Sequence, residues 1–154
     1  MRDSFVIKST LDVDQRAALE HLFFFNVNQE RVRPGIQYSV ENYGVPEIIE
    51  ERGSLRIRVG DINNVQTLFA ISHFGTPVGV AVYVCLAHER FVVLHVVVEP
   101  RLRSSNEVNT PVLLELMREI RSTARRTPGV ERIELGYNHR RAVRLTGGVS
   151  GRVS

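Results

Sequence analysis

Between two apolar stretches of this 154-residue chain lies a polar segment, Arg101 to Val108, whose residue types suit an anion. It follows Phe91 to Val98, a β-branched run ending in Glu99-Pro100, and precedes Thr110-Pro111, where an amphipathic helix opens. A strand that runs through a polar loop into a helix N-terminus can offer an anion several backbone N–H groups and the positive end of the helix dipole. Arg103 adds a planar, multidentate donor. Ser104, Ser105 and Asn106 can donate side-chain hydrogen bonds, and Asn tolerates the left-handed backbone region better than most residues. That arrangement suits a phosphate-bearing cofactor.

Proton transfer has one candidate. Glu99, at the end of the apolar run, can serve as a general base if its pKa is raised and solvent or substrate reaches it. Its plainer reading is a solvated carboxylate beside a proline. His95 lies among valines, where a lone histidine reads as a hydrogen-bonded core residue. The five histidines show no metal-ligand spacing with Cys or acidic partners, so no metal site is expected. Neither a Ser-His-Asp signature nor a Walker loop is present.

The elements that must position these residues can be read from periodicity. Ser4 to Thr10 alternates as a first strand, and Asp12 or Asp14 can cap a helix running to about Phe25. Asn26 to Gly44 reads as a loop with a short helix, and Pro46 to Arg52 as a helical turn ended by Gly53. Leu55 to Val59 alternates as a one-face strand, and Asp61 to Asn64 reads as a turn. Thr67–Phe74 and Val78–Leu86, joined by Gly75-Thr76-Pro77, form a hairpin signal. Phe91–Val98 then reads as a central strand covered on both faces. Pro111 suits the first turn of the main helix, whose apolar stripe is Leu113, Leu116, Met117, Ile120 and Ala124. Thr127-Pro128-Gly129 stops it, Val130–Gly136 forms a strand, and Asn138–Leu145 a short helix. The strand after the main helix returns parallel to its predecessor through a right-handed crossover.

Composition sets the bounds. At this length one domain with a real core is expected, and 43% hydrophobic with 24% charged residues is the balance of a soluble globular protein. No apolar run nears the roughly 20 residues of a membrane span, and the N-terminus lacks the features of a secretory signal. The single cysteine, Cys85, excludes an internal disulfide and reads as a buried small hydrophobe in a reducing, cytoplasmic setting. Charge is uneven. Residues 1–99 carry 9 basic and 12 acidic groups, and residues 100–154 carry 11 and 5. A basic C-terminal part favours a polyanionic cofactor or acidic partner. Aromatics make up 7% and none is interleaved with the Arg clusters, so nucleic acid is not an expected partner.

Together, Glu99-Pro100, Arg103 and the helix opening at Thr110-Pro111 resemble the cofactor segment of the GNAT superfamily of N-acetyltransferases, where a strand, a proline and an Arg-Gly-x-Gly-x-Gly/Ala loop hold the pyrophosphate of acetyl-CoA. The element order from near residue 4 to about 146 and the Pro77-Val78-Gly79 hairpin are similar to that fold as well. The resemblance implies an α/β fold of the α+β kind, with a mixed, mostly antiparallel sheet flanked by helices, as a single domain over residues 1–146. A flexible or partner-dependent tail follows at 147–154. It implies acetyl-CoA as cofactor, with pantetheine along Val96, Val97 and Val98 in a gap where two parallel strands splay apart. The pyrophosphate would then lie against Arg103, Ser104, Ser105, Asn106, Glu107 and Val108. The implied reaction is acetyl transfer to an amine, deprotonated by Glu99.

The chain departs from the family pattern in several places. Ser104, Ser105 and Asn106 stand where glycines would be, and the loop runs about two residues longer. Ala142 and Leu145 keep step with the family's Asn-x-x-Ala-x-x-Leu-Tyr helix, with His139 at the Asn position unless Asn138 serves after a one-residue shift. Thr146 replaces the tyrosine that protonates the leaving thiolate, and Thr is a poor acid. The family's last β-hairpin is nearly absent. An inactive GNAT-derived structural or interaction domain, such as a virion or assembly component, is therefore the competing expectation. The short Gly-rich end after Leu145 leaves an open sheet edge beside Val130–Gly136, to be covered by a second copy or another protein.

Overall fold

Two β-rich hairpins and one long amphipathic helix dictate the architecture of the computed structural model, which describes residues 5–24, 40–87, 89–99, 109–135 and 142–144. The described elements are strands β1 (Phe5–Lys8) and β2 (Leu11–Asp12), a 3-10 turn at Val13–Gln15, and helix α1 (Arg16–Phe24). Strands β3 (Pro46–Glu51), β4 (Ser54–Val59), β5 (Gln66–Ser72), β6 (Pro77–Leu86) and β7 (Arg90–Val98) follow. Helix α2 (Asn109–Arg125) and strands β8 (Arg132–Leu135) and β9 (Ala142–Arg144) complete the order. The fold is α+β. A six-stranded sheet runs β1-β5-β6-β7-β8-β9, antiparallel throughout except for the β7–β8 pair, and a three-stranded antiparallel sheet runs β2-β4-β3.

Both faces of the large sheet are covered, which is why β6 and β7 are almost continuously apolar. On one face Leu19, Leu22 and Phe23 of α1 and Leu55, Ile57 and Val59 of β4 pack with Val80, Val82 and Val84 of β6. On the other, Val112, Leu116, Ile120 and Ala124 of α2 pack with Ala81, Tyr83, Phe91, Val93 and Ile133. Asp12 caps the turn into α1 by accepting a hydrogen bond from the Asp14 backbone N–H at 3.1 Å. Thr67, itself buried, ties the two sheets together: its Oγ1 accepts from the backbone N–H of Ile57 at 3.1 Å.

Several expectations are corrected. Pro46 to Glu51 is strand β3, paired with β4 from Pro46↔Val59 to Glu51↔Ser54, and not a helical turn. The Glu-rich composition suits a helix, but Arg52 and Gly53 both take positive φ (55° and 80°), and these two residues close a tight hairpin. Ion pairs of Glu47 with Arg58 and Glu51 with Arg56 then bridge the two strands. The buried stripe of α2 is Val112, Leu116, Ile120 and Ala124 with Met117 packed beside it, and Leu113 is exposed. Gly79 sets that phase, because a Cβ there would meet Val112 Cγ1 at 2.8 Å and Leu116 Cδ1 at 3.2 Å. Cys85 is exposed, since β6 outruns its cover.

The final correction concerns the C-terminal part. Residues 142–144 form strand β9, antiparallel to β8 through Arg132↔Arg144, Ile133↔Val143 and Glu134↔Ala142, where a helix over Asn138–Leu145 was expected. An unpaired β8 edge would leave backbone donors and acceptors unmet, and a strand satisfies them where a helix cannot. The edge beside β8 is thus covered by the chain itself.

Candidate functional site at the end of the central strand

The C-terminal half of β7 departs from regular pairing. In its ladder with β6, Val82 faces His95 and Tyr83 faces Val93, so Leu94 is an extra residue. This bulge reverses the alternation of the strand. Phe91 and Val93 point toward α2, and Val92 and Leu94 toward α1. Past the bulge Val97 packs with the α1 core, while Val96 and Val98 pack on the α2 side. His95 turns toward α1, its ring edge-to-face with Phe23 at 5.5 Å and 76°.

His95 is a buried histidine, only 5% exposed, whose Nε2 has no hydrogen-bond partner. It is therefore not the hydrogen-bonded core residue expected at that nitrogen. Burial disfavours the imidazolium and lowers its pKa to about 4. A neutral ring at ordinary pH can accept a proton or a hydrogen bond at Nε2, yet it faces the core.

The bulge directly follows the described part of the β7–β8 ladder. Among the described residues parallel pairing runs from Arg90↔Arg132 to Val93↔Leu135, and β7 continues to Val98. Glu134 fastens the paired half. Its carboxylate accepts from Arg90 of β7 and from Arg132 Nε at 2.8 Å. Burial opposes its ionisation, but the bonds from Arg132 and Arg90 outweigh that and hold the carboxyl below its usual range.

Val96, Val97, Val98 and Glu99 are brought together at this end of the strand. Glu99 is half-buried, and its backbone N–H donates to the Val78 carbonyl at 2.9 Å, extending the β6–β7 pairing by one bond. Helix α2 then begins at Asn109 and lies across the sheet. Arg103, Ser104, Ser105, Asn106, Glu107, Val108 and Asn138 lie outside the described residues. The sequence reading missed the bulge, because no glycine or proline marks Leu94-His95. A histidine interrupting a run of valines was its only signal.

No family model matches the chain, and neither does a curated protein or a solved structure. Among the described residues no helix is long and apolar enough to cross a membrane, and no group of three or more His, Cys, Asp or Glu could hold a metal ion.

Proposed function

We propose that this chain is a GNAT-like acyltransferase domain that takes acetyl-CoA and acetylates an amine. One observation carries the reading. The parallel β7–β8 pair, joined through α2, is described from Arg90↔Arg132 to Val93↔Leu135, and β7 bulges at Leu94, just beyond that ladder, and runs on to Val98. In the GNAT fold the two parallel strands part at this level, and an extended pantetheine arm would add its own hydrogen bonds to the backbone of β7 there. Arg103 to Val108, which lie in sequence between the end of β7 and Asn109, would meet the pyrophosphate.

Acetyl-CoA would supply the activated acyl group. Val96, Val97 and Val98 would orient it along the strand. Arg103, Ser104, Ser105, Asn106, Glu107 and Val108 would hold its phosphates, and Glu99 at the strand end would take the proton of the acceptor amine. Calorimetric titration with acetyl-CoA tests the reading. We expect saturable binding that Arg103→Ala weakens by roughly 1–3 kcal/mol, the range of a charge-assisted hydrogen bond. Absence of acetyl-CoA binding by the parent protein would remove this function.

A second reading has its own support. Residues 142–144 are a strand, so the helix that carries the family's Asn and Tyr positions does not run through Ala142. That favours a GNAT-derived domain kept for protein interaction, without turnover. Binding of acetyl-CoA with no acetylation of a broad amine panel would select it.

A further inference from the structure

At the other end of the large sheet from Val98, a cleft of about 260 Å³ opens between the two sheets, where the β3–β4 hairpin leans over the start of β5. It is lined by Glu51, Arg52, Ser54, Arg56, Gln66 and Thr67 among others. Gln66 sits opposite Tyr83 and Ala70 opposite Gly79, whose other neighbour is Val98. The cleft is therefore about four residues of strand, roughly 13 Å at the usual rise, from the row that contains Val98. It is a separate site.

Its lining is rich in donors. Two guanidiniums and one carboxylate line it, and that carboxylate, Glu51, is ion-paired with Arg56 Nη1 at 3.2 Å. The Nε of Arg56 is buried without a hydrogen-bond partner, and Arg52 has no ion-pair partner among the described residues. Thr67 accepts the Ile57 N–H, which leaves its hydroxyl hydrogen available to a further acceptor.

Arg52 also holds a position that folding alone would fill differently. It has φ 55° at the first place of a two-residue turn, followed by Gly53 at φ 80°. Asn or Asp before Gly is the favoured pair there, because both tolerate the left-handed region that penalises a long side chain. A cation thus stands at the lip of the cleft in a turn position that suits Asn or Asp better.

We propose that this cleft binds a small phosphomonoester. Its dianionic head would lie between Arg52 and Arg56, and its organic part would sit among the hydroxyl and amide groups of Ser54, Gln66 and Thr67. A dianion matches two guanidiniums better than a single carboxylate does. The volume is several times the roughly 30 Å³ share of one water, leaving room beyond the head group.

Arg52→Asn separates ligand binding from folding. Asn-Gly is the better turn, so the variant should keep or raise its thermal midpoint while losing a cation of the cleft. With glycerol 3-phosphate as probe, we expect saturable amide shifts at Arg52, Ser54 and Gln66 in the parent, and about tenfold weaker binding in the variant. Inorganic phosphate should shift the same amides more weakly, and acetate should not compete. Three results would each overturn the proposal: no saturable shift with glycerol 3-phosphate, equal binding by Arg52→Asn, or equal competition by acetate. The probe carries no nucleotide, so none of these outcomes bears on acetyl-CoA.

Discussion

His95 shows what one residue inherits from its strand. The bulge at Leu94 turns it toward Phe23, and burial then lowers its pKa to about 4 from an ordinary value near 6.5. The folded state therefore holds fewer protons at this site than the unfolded state between those two values. Stability contributed by the neutral ring is complete above pH about 6.5, falls as pH drops through the window, and is spent near pH 4. The shift corresponds to about 3 kcal/mol at most. Urea midpoints measured from pH 7 to pH 4 should fall in the parent and flatten in His95→Leu, which cannot titrate. A parallel decline in both proteins would assign the acid sensitivity to other groups.

At the scale of elements, the contact of α2 with β6 depends on Gly79. The helix seats Val112 and Leu116 in the space a side chain at 79 would occupy. Gly79→Ala places a Cβ 2.8 Å from Val112 Cγ1 and 3.2 Å from Leu116 Cδ1, so both side chains must move or the helix must lift. Overpacking of this kind costs typically about 1–3 kcal/mol. A second change, Val112→Ala, should recover part of that loss by vacating the contact. Denaturant unfolding of the two single variants and the double variant checks the coupling. Additive losses would show that the helix already has slack at this point.

Across the whole molecule, the small sheet is fastened to the large one at Thr67. Its Oγ1 is the acceptor for the N–H of Ile57 in β4, the middle strand of the small sheet. Thr67→Val keeps the shape and removes that acceptor, leaving a buried N–H unsatisfied at a cost of about 1–3 kcal/mol. Thr67→Ser keeps the oxygen and should lose less. Amide hydrogen exchange should speed up at Ile57 in the Val variant and remain slow in the Ser variant. Association also belongs to this scale. Because β9 pairs with β8, the outer strands of the large sheet among the described residues are β1 and β9, and these are the edges a second copy or partner protein could extend.

Much of this architecture is legible from residue order. A nearly continuous β-branched run marks β7, alternating valines mark β6, the Gly75-Thr76-Pro77 turn joins β5 to β6, and apolar residues at helical spacing, Leu116, Met117, Ile120 and Ala124, mark α2. A strand, helix, strand order forces β8 parallel to β7, and the parallel pair follows. What sequence misread was decided by long-range partners. Pro46–Glu51 has helical composition but is paired by β4, and residues 142–144 suit a helix locally but supply the missing bonds of β8. The phase of α2 depends on a glycine some thirty residues earlier, and the orientation of His95 on an extra residue that only the β6 ladder reveals. The physical reason is common to all four. Backbone hydrogen bonds and close packing are satisfied between elements distant in sequence, and local propensity, worth a few tenths to about 1 kcal/mol per residue, yields to them.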